Sequence, residues 1–194
     1  MHKISFGEIL DQPLPAEILP DESLDASSDG ILRIYVLEHV VDQINQQALA
    51  DYSLESGGLL IGHPFVNISN PKQKFVIITD CIQTHSNNKS GTHFTVMPEE
   101  LIKARDRIEK EFSGLVVVGW YHSHPGLGVF LSSQDMQIVK SIYNADWHIA
   151  YVIDHIRKLD GFFYGPQGNV ASNVSYLKQR PPCIEAILRY NVAT

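Results

Sequence analysis

Hydrophobic positions in this chain change their spacing several times, and each change marks an element. The run Ile31-Leu32-Arg33-Ile34-Tyr35-Val36-Leu37 is rich in β-branched and aromatic residues, which predicts a strand. Directly after it, Val40, Val41, Ile44, Ala48 and Leu49 fall at three- and four-residue intervals, the spacing of a helix with one apolar face. Gly58 to Val66 and Phe75 to Cys81 read as buried strands, and the turn residues Asn67 to Pro71 between them predict a hairpin. A polar, glycine-containing stretch, Gln83 to Thr92, precedes a short strand expected near His93 to Val96. Pro98-Glu99-Glu100 then opens a helix, because proline suits the first helical position and acids suit the positive end of the helix dipole.

Leu101, Ala104, Ile108 and Phe112 supply that helix with its apolar stripe. Gly114 begins another strand, and residues 132–144 read as a helix that turns Met136, Val139, Ile142 and Tyr143 inward. Two further strands, Trp147 to Ile153 and Gly161 to Tyr164, flank the charged turn Asp154 to Asp160. Strands alternating with helices predict an α/β fold in which helices sandwich a mixed, curved sheet. Residues 1–30 follow no such pattern. Pro13, Pro15 and Pro20 are followed by Asp21, Glu22, Asp25 and Asp29, with no large apolar group between Leu24 and Ile31. An extended arm is expected there, solvated or docked on a neighbour. The expected plan is an arm over 1–30, one domain over 31–176 and a helical tail over 177–194.

Composition narrows this picture without redirecting it. A chain of 194 residues with 44% hydrophobic content can build one domain with a real core. No apolar run reaches the roughly 18 residues that cross a bilayer, so no membrane partner is expected. Met1 to Leu10 lacks the long apolar segment of a secretory signal. Cys81 and Cys183 are far apart and neither lies in a C-x-x-C, so both read as small buried residues and a cytoplasmic, reducing setting is expected. A net charge of -7 argues against nucleic acid as a partner, since phosphate contacts need clustered lysine and arginine.

The candidate chemistry lies in Tyr121-His122-Ser123-His124-Pro125-Gly126-Leu127-Gly128-Val129-Phe130-Leu131-Ser132-Ser133-Gln134-Asp135. Its pattern is H-x-H-P-x6-S-x-x-D. Histidines two apart on an extended segment point to the same face, so both can reach one ion. His122, His124 and Asp135 would offer three nitrogen and oxygen ligands and leave a fourth position to water, the pattern of a catalytic zinc site. Ser132 and Asp135 share one face of a helix start, where S-x-x-D is also a capping arrangement. Upstream, Glu55 precedes the paired glycines Gly57 and Gly58, which permit close backbone approach ahead of an apolar strand. His39, His63, His85, His93, His148 and His155 match no ligand position, and Trp120 reads as packing under the metal loop.

At these residues the chain resembles the JAMM, or MPN-plus, zinc isopeptidases, also called JAB-domain peptidases, over about Ile31 to Tyr164. Trp120 to Asp135 is most similar to the branch containing the proteasomal and endosomal deubiquitinases, and the short chain suggests a prokaryotic member. The resemblance implies an MPN (JAB) fold and one Zn2+ per chain, held by His122, His124 and Asp135. It implies Glu55 as a general base beside the metal water and Ser132 as a hydrogen-bond donor to the oxyanion. The ion would lower the pKa of its water to about 7 and polarise the scissile carbonyl.

The implied substrate is the bond after the C-terminal Gly-Gly of ubiquitin or a ubiquitin-like protein, joined to a conjugated target or precursor segment. Its tail would enter as an added strand, along a groove lined by Thr92, His93, Phe94 and Thr95 in the segment that resembles the family's first insertion. The second insertion looks absent, since Asp154 to Asp160 is only a short turn. Ubiquitin-conjugation-like enzymes would act in the same pathway. Two relatives of other function compete: a non-catalytic MPN scaffold, whose members lack the ligands, and a peptidase that releases an amino acid from a small sulfur-carrier protein. A zinc nucleobase deaminase needs H-x-E and P-C-x-x-C, and both His122-Ser123-His124 and Pro182-Cys183-Ile184-Glu185-Ala186 fail.

Overall fold

The computed structural model describes residues 14–16, 30–50, 54–84, 98–112 and 114–192. Its elements are β1 (Leu14–Ala16), β2 (Arg33–Leu37), α1 (Glu38–Ala50), β3 (Gly57–Asn67), β4 (Lys74–Thr84), α2 (Pro98–Glu111) and β5 (Val116–Ser123). There follow α3 (Ser133–Ser141), β6 (Ile149–Asp154), β7 (Leu159–Tyr164), β8 (Asn169–Val170), β9 (Val174–Leu177) and α4 (Pro182–Val192). The strand expected near His93 to Val96 lies outside the described residues.

One mixed sheet runs in the order β8-β7-β6-β5-β3-β4-β2-β9. The antiparallel hairpin of β3 and β4 forms its middle, with β5 antiparallel to β3 and β6 parallel to β5. Both hairpin strands are covered on two sides, which is why their apolar runs are nearly continuous and do not alternate.

The two faces can be read from β6. Ile149, Tyr151 and Ile153 join the cluster under α1, with Val40, Ile44, Val76 and Val118. Ala150 and Val152 point the other way, to α3, with Trp120, Val139 and Phe163. On that second face α2 and α4 cover the β2–β3–β4 half, where Ala104 and Ile184 meet Leu59, Ile61, Phe75 and Ile77. The result is three layers, with α1 on one side of the sheet and α2, α3 and α4 on the other. Each fully buried aliphatic side chain, such as Ile44 or Ile184, contributes about 2 kcal/mol by leaving water.

Three details differ from the periodicity reading or extend it. Ile142, expected inward, is 42% exposed. The helix stops at Ser141 and Ile142 is its C-cap, so the chain leaves the helical path before that side chain reaches the core. Within 1–30, Leu14–Ala16 pairs in parallel with Phe65 to Asn67, on the flank of β3 beyond the point where β5 stops pairing at Gly62. Within 177–194, α4 is part of the packed body, and Ile184 has no exposed surface.

The second of the paired glycines, Gly58, has a steric reason. A Cβ on Gly58 would lie 2.1 Å from the Ile82 carbonyl oxygen and 2.7 Å from the Tyr121 hydroxyl, which hydrogen-bonds Gln47. The carbonyl belongs to the β4 backbone and cannot retreat cheaply. Gly58→Ala is therefore expected to destabilise the fold by about 3 kcal/mol, the upper range for overpacking, measured by urea unfolding. An unchanged midpoint would show that β3 and β4 can separate at this register.

Candidate metal centre

Strand β5 delivers the H-x-H pair at its end because its neighbours hold it extended as far as Ser123. His122 is paired with Gly57 on one side and Val152 on the other. The His124 N–H then donates to the Ile153 carbonyl at 2.8 Å, which carries the extended course one residue beyond the strand. Both imidazoles consequently face α3. Their Nε2 atoms are 2.9 Å apart. Asp135, in the first turn of α3, brings Oδ1 to 3.4 Å from the His122 Nε2 and Oδ2 to 3.7 Å from the His124 Nε2. The three atoms that could ligate an ion all lie within 4.8 Å of one another, and all three residues are buried.

What holds these side chains in place is visible around them. The His122 ring lies flat on Trp120, with centroids 4.4 Å apart and planes 8° from parallel. The Nδ1–H of His124 donates to the Gly128 carbonyl at 3.2 Å, a bond that assigns the proton to Nδ1 and leaves the Nε2 lone pair turned toward His122 and Asp135. Asp135 is fixed by a capping box: the Ser132 N–H donates to its Oδ2 at 2.7 Å, and its own N–H donates to the Ser132 Oγ at 3.2 Å. The capping and ligand readings of S-x-x-D are thus compatible in one geometry.

The charge states suit a cation. Burial lowers the pKa of His124, and the adjacent His122 lowers it further, so the ring is neutral at pH 7. Burial alone would raise the Asp135 carboxyl, but the hydrogen bonds from His122 and Ser132 outweigh that and hold it well below the usual carboxylate range. Neutral imidazole and ionised carboxylate are the forms that bind metal. The His122 Nδ1 is buried with no hydrogen-bond partner among the described residues, an arrangement that costs about 1–3 kcal/mol and is more at home in a functional site than in a packing core. Two nitrogens and one oxygen converging in this way fit Zn2+ in donor type and number.

Glu55 approaches from the start of β3. The Ser56 N–H donates to the Ser123 Oγ at 2.9 Å, and the Ser123 N–H donates to the Ser56 carbonyl at 2.8 Å. The Ser56 and Ser123 hydroxyls meet at 3.2 Å on the face away from His122. Alternation then carries Glu55 and Gly57 to the His122 face. Glu55 is half-buried there. Thr92, His93, Phe94 and Thr95, expected along a substrate groove, lie outside the described residues.

Two neighbours of the site have contacts to it that sequence reasoning missed. Phe130 packs 4.8 Å from the His124 ring while 44% exposed, at the mouth of the site. Asp154, read from the sequence as part of a charged turn, is fully buried and receives the Gly126 and Gly128 N–H groups of the metal loop. Its turn character is readable, since aspartate at a strand end caps its own backbone two and three residues on. Its reach across to β5's loop is not.

The profile described as prokaryotic homologs of the JAB domain matches residues 37–162, about two thirds of the chain, and spans Glu55, His122, His124, Ser132 and Asp135. The chain belongs to the JAB-domain family. Among curated relatives of this JAB-domain protein is the 26S proteasome regulatory subunit RPN11 of Candida glabrata, 28% identical over 142 residues, or 71% of this chain and 44% of that one. Another is the 26S proteasome non-ATPase regulatory subunit 14 of Dictyostelium discoideum, 27% identical over 159 residues, or 80% of this chain and 46% of that one. The chain therefore spans less than half the length of these relatives. Its fold is similar to the solution structure of protein DSY2949 from Desulfitobacterium hafniense, with a TM-score of 0.58 at 18% identity over 75% of this chain and 94% of that one. No helix among the described residues is long and apolar enough to cross a membrane.

Proposed function

We propose that this JAB-domain protein is a zinc-dependent peptidase that hydrolyses the isopeptide or peptide bond after the C-terminal glycine of a ubiquitin-like protein. The observation that carries the reading is the convergence of the His122 and His124 Nε2 atoms at 2.9 Å with the Asp135 carboxylate beside them. A scaffold has no use for two buried imidazoles turned nitrogen to nitrogen against a carboxylate. His122, His124 and Asp135 would hold the ion. Bound zinc would supply Lewis acidity toward the carbonyl and a more acidic water.

The chain's own groups do the rest. Glu55 accepts a proton from the attacking water, whose oxygen bonds to the carbonyl carbon of the terminal glycine. Glu55 then passes that proton to the departing amine as the C–N bond breaks, which gives a free glycine carboxylate and a free lysine or N-terminal amine. Ser132 already accepts the Asp135 N–H, so its hydroxyl proton serves as the donor to the carbonyl oxygen as negative charge develops there. The relatives' names place RPN11 in the proteasome; a ubiquitin-like tail as substrate is the corresponding proposal for this chain.

The test uses ubiquitin-like proteins joined through a Gly-Gly tail to a lysine side chain, with mass spectrometry of the products. Hydrolysis after the second glycine, abolished by 1,10-phenanthroline and restored by zinc, is the expected result. Zinc-loaded protein that cleaves none of these conjugates would favour the scaffold. Release of a single amino acid from a sulfur-carrier protein alone would move the substrate assignment to that class.

A further inference from the structure

We infer that Asp154 is a positioning residue, which sets the orientation and tautomer of His124 through the loop that joins β5 to α3. This inference rests on reading His124 as a metal ligand.

Asp154 ends β6 with no exposed surface. A carboxylate so placed is tolerated only when its lone pairs are met. Here Oδ1 accepts the N–H groups of Gly126 at 3.0 Å, Ile156 at 3.1 Å and Arg157 at 3.0 Å. Oδ2 accepts the Gly128 N–H at 2.7 Å and lies 3.7 Å from the Arg157 Nε. Two of these bonds close its own turn. The other two cross to a segment 26 and 28 residues away in sequence, the turn that follows His124.

That turn can offer its N–H groups to one point because Gly126 and Gly128 have φ of 74° and 95°, a conformation that side chains rarely adopt. The Leu127 N–H between them closes back on the His124 carbonyl at 3.2 Å, so the two glycine N–H groups alone form the concavity, and the anion it holds is the internal carboxylate. Gly128 is therefore held at both ends. Its N–H is fixed by Asp154, and its carbonyl receives the His124 Nδ1–H. The ring cannot turn over without losing that bond. While it stays, Nε2 is the unprotonated nitrogen and faces His122 and Asp135. Carboxylates usually orient a ligating histidine by direct contact; in this chain a glycine residue stands between them.

The experiment compares the full-length wild type with Asp154→Asn, which keeps the shape but replaces one acceptor oxygen by a donor. Arg157→Ala serves as control, because it leaves every backbone bond to the carboxylate intact. Zinc affinity is measured by competition with a chromogenic chelator, and the His124 tautomer by nitrogen-15 spectra of the metal-free protein. Asp154→Asn is expected to weaken zinc binding roughly 10- to 100-fold, the range for outer partners of metal ligands, and to mix the tautomers. Arg157→Ala should match the wild type in both.

Wild-type zinc affinity in Asp154→Asn, or a metal-free wild type with the His124 proton on Nε2, would overturn the inference. If Asp154→Asn does not fold, the wild-type spectrum decides alone, together with slow exchange of the Gly128 amide. If the wild type binds no zinc, the metal reading fails, while the tautomer and amide exchange still decide whether Asp154 sets the ring.

Discussion

Glu55→Gln is expected to retain one zinc ion per chain while losing hydrolysis by roughly 10²- to 10⁴-fold, the range for removal of a general acid–base group. Glutamine keeps the shape of the side chain and one acceptor oxygen, replaces the other by a donor, and accepts no proton at neutral pH. The expectation depends on placement. Ser56 is tied to Ser123 by two backbone-anchored bonds, and its hydroxyl lies on the far face, so Glu55 stands on the face of His122 without being one of the three convergent groups. Loss of turnover should therefore come with unchanged metal content by elemental analysis and an unchanged melting temperature. Full activity in Glu55→Gln would remove the assigned base. Loss of zinc together with activity would make Glu55 a ligand.

His122→Ala and Asp135→Ala are expected to lose both the metal and all measurable hydrolysis, since each removes one of the three convergent donors found among the described residues. The two should differ in the metal-free state. His122→Ala exposes the face of Trp120 that the ring covers. Asp135→Ala instead breaks half of the capping box at the start of α3, which costs about 1 kcal/mol in stability. Asp135→Asn separates these effects, because it keeps an acceptor for the Ser132 N–H while weakening the metal ligand. Thermal unfolding with and without zinc reads both. A variant that keeps zinc despite loss of His122 or Asp135 would mean that the ion sits elsewhere.

Much of this was legible in the residues because the governing periods are short. Alternation by two along Trp120, His122 and His124 predicts one shared face, and the structure stacks the first two rings and joins the last two at their Nε2 atoms. The hairpin of β3 and β4 was readable from turn residues at Asn67 to Pro71. Contacts between distant segments were not. β9, a four-residue strand, lies parallel beside β2, more than a hundred residues earlier, and Val-Ser-Tyr-Leu is too short to announce a partner. Asp154 shows the same gap at the site: its capping of Ile156 and Arg157 is local, whereas its bonds to Gly126 and Gly128 exist only once β5 and β6 are side by side. Ile142 failed for a different reason, because helical spacing continues in the sequence after the helix itself has ended at Ser141.

Diffraction from crystals of the native protein, recorded on both sides of the zinc absorption edge, would show whether His122, His124 and Asp135 hold an ion. One anomalous peak per chain is expected, at about 2.0–2.2 Å from the Nε2 atoms of His122 and His124 and from an Asp135 carboxylate oxygen. Native crystals grown with zinc that show no peak among these three groups, or show the two rings turned apart, would contradict the metal reading.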